Sequence, residues 1–233
     1  MFVKICGTTS EEDALLAVAM GADAVGFVFA PSQRQVAPRL AADIAKRLPP
    51  QIVTVGVFRD EAPRRVLEIA QNAGLRAVQL HGRETAESCK WLRSRLPMVI
   101  KGFPAGAAEV RRAGEYGADV ILLDGAEPGS GRLFDWAYAG ELPAGQRLMV
   151  AGGLTPSNVA EAIARTNAWG VDVVSGVERR PGVKDPIKLR EFMAAARAAA
   201  AAADGPEQDG PEQDDPEQDG PAGDSLYDWR EDE

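Results

Sequence analysis

One unit recurs eight times along this chain: a short apolar run, a turn bearing glycine or proline, and a stretch with helical spacing. The apolar runs are FVKIC (2–6), AVGFVF (24–29), IVTVGVF (52–58), AVQLH (77–81), MVIKGF (98–103), DVILLD (119–124), RLMVAGG (147–153) and VDVVSG (171–176). Each is rich in Val, Ile and Phe, and the spacing predicts a buried strand. Helical stretches lie between them, among them TSEEDALLAVAMG (9–21), APRRVLEIAQNAG (62–74) and TPSNVAEAIART (155–166). Ser10, ahead of Glu11, Glu12 and Asp13, is the expected N-cap of the first helix, and Gly21 and Gly74 sit where helices end. Strand, helix and two short loops fill each interval, so neighbouring strands are expected to pair in parallel. Eight such units over about 200 residues fit a closed (β/α)8 TIM barrel better than an open doubly wound sheet. The glycine-rich dinucleotide turn that opens many doubly wound sheets is absent from CGTTSEE.

The repeat stops near residue 203, after a final helix expected over about 186–203. The expected domains are therefore a catalytic barrel over 1–203 and a tail over 204–233. DGPEQDGPEQDDPEQDGPAGD is low in apolar residues and rich in Pro, Gly and acid, a composition that predicts disorder. The terminal SLYDWREDE is simplest as an incidental end; a partner-docking motif is the alternative. The tail holds thirteen acidic side chains and only Arg230 as a base, so a net charge of −9 for the chain leaves the barrel near +3. That surplus suits a small anionic ligand and is too weak to argue for nucleic acid. No uninterrupted apolar run reaches membrane-spanning length and no signal peptide is read at the start. Two cysteines far apart in sequence, Cys6 and Cys89, suggest a reducing, cytoplasmic setting rather than a disulfide framework.

In a (β/α)8 barrel the active site lies at the C-terminal strand ends. Polar candidates there are Cys6, Arg34, His81, Asp124, Asp172 and Ser175. Gly152-Gly153 and Ser175-Gly176 follow the seventh and eighth strands, where barrels commonly hold a phosphate on backbone N–H groups. A phosphorylated small-molecule substrate follows, although glycines that only make tight turns would look the same. Strand alternation puts Lys4 and Cys6 on one face and Val3 and Ile5 on the other. A thiol at that position serves either as a small core group or as a reactive group at the barrel rim. Cys89, inside a helix, is expected to pack.

KICGTT, GADAVGFVF…SQRQV, VGVF, AVQLHG, ILLDG…GSGRLFDW, AGGLTPSNV and GVDVVSGVE…PGVKD occur in this order from residue 3 to about 185. Together they resemble the phosphoribosylanthranilate isomerase family of tryptophan biosynthesis. The resemblance implies an Amadori rearrangement of N-(5-phosphoribosyl)anthranilate to 1-(2-carboxyphenylamino)-1-deoxyribulose 5-phosphate, with no cofactor and no metal. It implies Cys6 as general base, with a thiol whose pKa is lowered or whose thiolate forms on demand. It implies Asp124 as general acid, protonated near neutrality. Arg34 would hold the anthranilate carboxylate, His81 would line the pocket, and Asp172 would contact ribose hydroxyls or the anilino nitrogen. Gly152, Gly153, Ser175 and Gly176 would cradle the phosphate. GSGRLFDW (129–136), beside Asp124, is either a loop that closes over substrate or a static one. Val174, Pro128 and the lack of an aromatic after Arg34 depart from the family pattern and bear on affinity rather than reaction type. The rival readings are another phosphosugar barrel and a phosphate-binding barrel without chemistry that docks a partner through its tail. Of the first kind, a metal-dependent epimerase is poorly served by a single His, and a histidine-pathway isomerase would place an aspartate where Cys6 stands.

Overall fold

The computed structural model describes residues 1–125 and 136–203. Eight parallel strands close into a barrel in sequence order, β1 beside β2 and so on round to β8 beside β1. They are β1 (Phe2–Ile5), β2 (Ala24–Val28), β3 (Val53–Phe58), β4 (Ala77–Leu80), β5 (Met98–Pro104), β6 (Val120–Asp124), β7 (Leu148–Val150) and β8 (Gly170–Val173). The eight apolar runs and the (β/α)8 topology expected from them are thus present. The seventh and eighth strands end earlier than their apolar runs. Gly152 and Gly153 turn to positive φ and lead the chain away from β7, while a short 3-10 turn, Ser175–Val177, follows β8.

Helices α1 (Glu11–Ala19), α2 (Pro38–Ala45), α3 (Pro63–Asn72), α4 (Ala86–Arg93), α5 (Val159–Thr166) and α6 (Pro186–Ala203) pack outside the barrel. Ser10 caps α1 as expected, its hydroxyl accepting from the Asp13 N–H at 3.2 Å, and Gly21 and Gly74 adopt positive φ. Among the described residues, the fifth and sixth connections carry 3-10 segments, Ala108–Tyr116 and Trp136–Glu141, where a regular unit would place α-helices. Gly114 within the first of these and Gly117 at its end lower helical propensity there. A two-stranded hairpin, β9 (Glu178–Arg180) and β10 (Val183–Lys184), is inserted between β8 and α6.

Alternation along each strand sorts side chains into two cores. Outward residues such as Val3, Ile5, Phe27, Leu80, Leu123 and Val171 pack under the helices. Inward residues, including Ala24, Val55, Ile100, Leu122 and Met149, fill the barrel interior. Lys4 is fully buried among the inward positions and its Nζ donates to Asp172 Oδ2 at 2.9 Å, with Lys4 and Asp172 in direct register between β1 and β8. The apolar plug thus gives way upward to polar inward positions, and these form the mouth.

No helix among the described residues is long and apolar enough to cross a membrane. The disorder expected over 204–224, the docking alternative for SLYDWREDE, Pro128 and all of GSGRLFDW except Trp136 lie outside the described residues.

Ile100 sits fully buried in the interior plug. Ile100→Ala is expected to lower unfolding free energy by about 2–5 kcal/mol, since a closed ring of strands has little freedom to collapse onto the void; urea unfolding measures it.

Candidate active site

At the C-terminal ends of the strands, Cys6, Arg34, His81, Asp124, Gly152, Gly153, Asp172 and Ser175 surround one cavity of about 240 Å³. Gly176 lies in an adjoining hollow that shares Gly153 and Ser175 with the cavity and adds Lys188 and Ser157. The residues expected at the site, drawn from strands 1, 2, 4, 6, 7 and 8, therefore meet at one mouth. Cys89 is buried in the helical layer on α4, as expected of a packing residue.

Close approaches define the shape of this mouth. A Cβ on Gly26 would lie 2.6 Å from Cys6 Sγ, and one on Gly102 would lie 2.7 Å from His81 Nδ1. Each functional side chain thus occupies the space a neighbouring strand vacates with glycine. At the other end, a Cβ on Gly176 would fall 1.8 Å from the Leu154 carbonyl oxygen, so the loops after β7 and β8 touch backbone to backbone.

Cys6 is only 3% exposed. Burial raises its thiol above the ordinary value; the Lys4 ammonium opposes this and the Asp172 carboxylate adds to it. The free protein therefore does not carry the lowered thiol that one branch of the sequence expectation required. Burial pulls the Lys4 ammonium down, but Asp172 and Cys6 outweigh it and the net shift is upward. Asp172 Oδ1 is buried without a hydrogen-bond partner among the described residues, so one acceptor stays free beside the cavity. Asp124 Oδ1 accepts from the Gly125 N–H at 2.7 Å, and Oδ2 lies 3.2 Å from His81 Nε2. His81 Nδ1 lies 2.9 Å from the Gln79 amide nitrogen.

Arg34 faces the cavity already engaged. Its Nε and Nη2 donate to Glu178 at 2.7–3.1 Å, while Nη1 has no partner among the described residues. Glu178 in turn accepts from Lys184 Nζ at 3.2 Å, and the same ammonium donates to the Cys6 carbonyl at 2.6 Å. The hydrogen bonds that Arg34 donates to Glu178 raise its guanidinium further. Burial pushes Glu178 up, yet Arg34 and Lys184 hold it below the ordinary carboxylate range. Sequence reasoning passed over Gln79, Glu178, Lys184 and Lys188. GVE and PGVKD were noted as motifs, but nothing in them says that a hairpin carries their charges back beneath Cys6 and Arg34.

A closed (β/α)8 barrel whose mouth combines a thiol, two carboxylates and an arginine beside glycine-rich turns defines an enzyme of the phosphosugar-barrel kind. A family model for N-(5'-phosphoribosyl)anthranilate (PRA) isomerase matches residues 3–195. The chain belongs to this family. It is 49% identical over 204 residues to N-(5'-phosphoribosyl)anthranilate isomerase of Desulforudis audaxviator, covering 84% of this chain and 98% of that one. It is 47% identical to the enzyme of Thermotoga neapolitana, with the same coverage. The crystal structure of phosphoribosyl anthranilate isomerase from Thermus thermophilus superposes with a TM-score of 0.80 at 45% identity, covering 85% of this chain and 99% of that one. A second solved isomerase, 41% identical with a TM-score of 0.75 over the same shares, is a complex with reduced 1-(o-carboxyphenylamino)-1-deoxyribulose 5-phosphate.

Two substitutions move the Cys6 thiol in opposite directions. Lys4→Met removes the ammonium that lowers it and shifts its titration further up, whereas Asp172→Asn removes a contribution that raises it and shifts it down. The pH dependence of alkylation by iodoacetamide reads both shifts. Both shifts are read in a Cys89→Ala background, because Cys89 carries a second thiol that burial pushes up to about 11.

Proposed function

We propose that Cys6 and Asp124 are the general base and general acid with which this chain isomerises N-(5'-phosphoribosyl)anthranilate. Family membership supplies the reaction, the aldose-to-ketose step of tryptophan biosynthesis. The observation that carries the residue assignment is the meeting of a thiol and a carboxyl group around one cavity with an arginine and a glycine-lined hollow.

The chemistry divides between them. Asp124 gives a proton to the furanose ring oxygen, the C1–O bond breaks, and the nitrogen lone pair forms an iminium. Cys6 takes the C2 proton, and the resulting enolamine tautomerises to the ketone. A thiol held neutral by burial suits this order of events, because the iminium charge appears beside C2 as ring opening finishes and favours the thiolate then. The free Asp172 oxygen is placed to accept from a ribose hydroxyl or the anilino N–H. Arg34, gripped by Glu178 along one edge, keeps its Nη1 end for the anthranilate carboxylate. Backbone N–H groups of Gly153 and Gly176 with the Ser175 hydroxyl take the phosphate, and Lys188 lines the same hollow. Gly152 contributes the turn that brings Gly153 there: its φ is +84°, and a Cβ would lie 2.6 Å from Asp124 Oδ1. The two free cysteines are in keeping with a cytoplasmic setting.

Phosphoribosylanthranilate generated in place from anthranilate and phosphoribosyl pyrophosphate loses its fluorescence as it reacts. The wild-type protein is expected to accelerate that loss, and Cys6→Ala and Asp124→Ala each to lower kcat by about 10²–10⁴-fold. A folded wild-type protein without acceleration refutes the activity; undiminished turnover in either variant refutes its role. In the same assay Glu178→Gln should raise KM by about tenfold with a smaller change in kcat, since Arg34 loses the partner that aims it.

A further inference from the structure

Gln79, His81 and Asp124 form a line of contacts along the cavity wall, from β4 to the end of β6. The Gln79 side chain is 2% exposed, its amide nitrogen lies 2.9 Å from His81 Nδ1, and its Oε1 is buried with no hydrogen-bond partner among the described residues. His81 Nε2 lies 3.2 Å from Asp124 Oδ2, whose other oxygen accepts from the Gly125 N–H. In this arrangement the amide N–H donates to Nδ1, so a neutral ring carries its proton on Nε2 and donates it to Asp124. Asp124 then receives donors on both oxygens, which suits a carboxylate that has given up its proton.

A half-turn of the amide puts Oε1 where the nitrogen stands. Nδ1 must then carry the proton, and a neutral ring presents its Nε2 lone pair to Asp124. That arrangement demands the proton on Asp124 Oδ2, the form a general acid needs. No described group holds Oε1 in its present direction, and a primary amide offers both a donor and an acceptor at one place. We propose that Gln79 is a positioning residue for the isomerase reaction: through its hydrogen bond to His81 Nδ1 it selects the ring tautomer, and the tautomer decides whether Asp124 holds its proton. The inference rests on Asp124 acting as the acid. The two arrangements differ by one proton: on passing to the second, the Nε2 proton moves to Asp124 Oδ2 and Nδ1 takes a proton from water, so the pair gains the one proton that Asp124 then gives to the ring oxygen.

His81 is the only histidine of the chain, so ring ¹⁵N shifts of an untagged, histidine-labelled protein report this one side chain without overlap. An ionised Gln79→Glu can only accept and should hold the proton on Nδ1; Gln79→Met does neither and should keep the ring in the Nε2–H form over the whole pH range in which the wild-type ring exchanges between the two forms. Gln79→Met is expected to lower kcat by about 10- to 100-fold, a part of the roughly 10²–10⁴ that acid–base catalysis contributes, with KM changed by less than about threefold. The two variants differ in charge and shape, so one remains readable if the other does not fold. Ring shifts that follow pH alike in wild type and a folded variant overturn the proposal whatever kcat does, because a merely structural role costs rate without moving the tautomer. A moved tautomer with unchanged kcat overturns the link to Asp124. Failure of the underlying acid assignment shows separately, as retained turnover in Asp124→Ala.

Discussion

The ion pair between Lys4 and Asp172 joins the first strand of the barrel to the last, and the rest of the mouth is arranged around it. Both side chains are buried, so each pays a desolvation cost that an apolar pair of similar volume would avoid. Closure of the ring needs only the backbone pairing of β1 with β8, from Phe2–Gly170 to Ile5–Val173. What the charges add is position. The pair stands one inward place below Cys6, with the ammonium favouring the thiolate, the carboxylate opposing it, and one oxygen left free at the cavity.

A second buried charge group ties the rim together from outside the sheet. The hairpin after β8 brings Glu178 to Arg34 and Lys184 to the Cys6 carbonyl, contacts that span 144 and 178 residues of chain. The guanidinium keeps its free end toward the cavity because its other edge is spent on Glu178. Substrate-facing groups are thus held by groups that face away from substrate, which keeps the cost of ordering them out of the binding step.

Much of the architecture was legible along the chain. Eight apolar runs became eight strands, Ser10 became the cap of α1, and Gly21 and Gly74 took the positive φ expected of them. Among the described residues the regular unit departs in the fifth and sixth connections, which carry 3-10 segments although length and periodicity look ordinary there. The expected site residues share one mouth and its adjoining hollow, since placing each required only knowing which strand it ends. Gln79, Glu178 and Lys184 escaped notice for a different reason. Gln79 sits in mid-strand, short of the strand end where candidates were sought, and Glu178 and Lys184 lie past β8 on a hairpin that no local spacing announces.

Local pattern determined the elements: period-two alternation and turn residues act over a few positions, so FVKIC is a strand with Cys6 and Lys4 on one face in any sheet it joins. That fold class and the family resemblance together pointed to the chemistry. Tertiary closure alone decided that Lys4 meets Asp172, that Glu178 takes one edge of Arg34, and that Gln79 reaches Asp124 through His81. Charge and protonation depend on neighbours within a few ångströms. Those neighbours become neighbours only when the barrel closes and the eighth strand comes to lie beside the first.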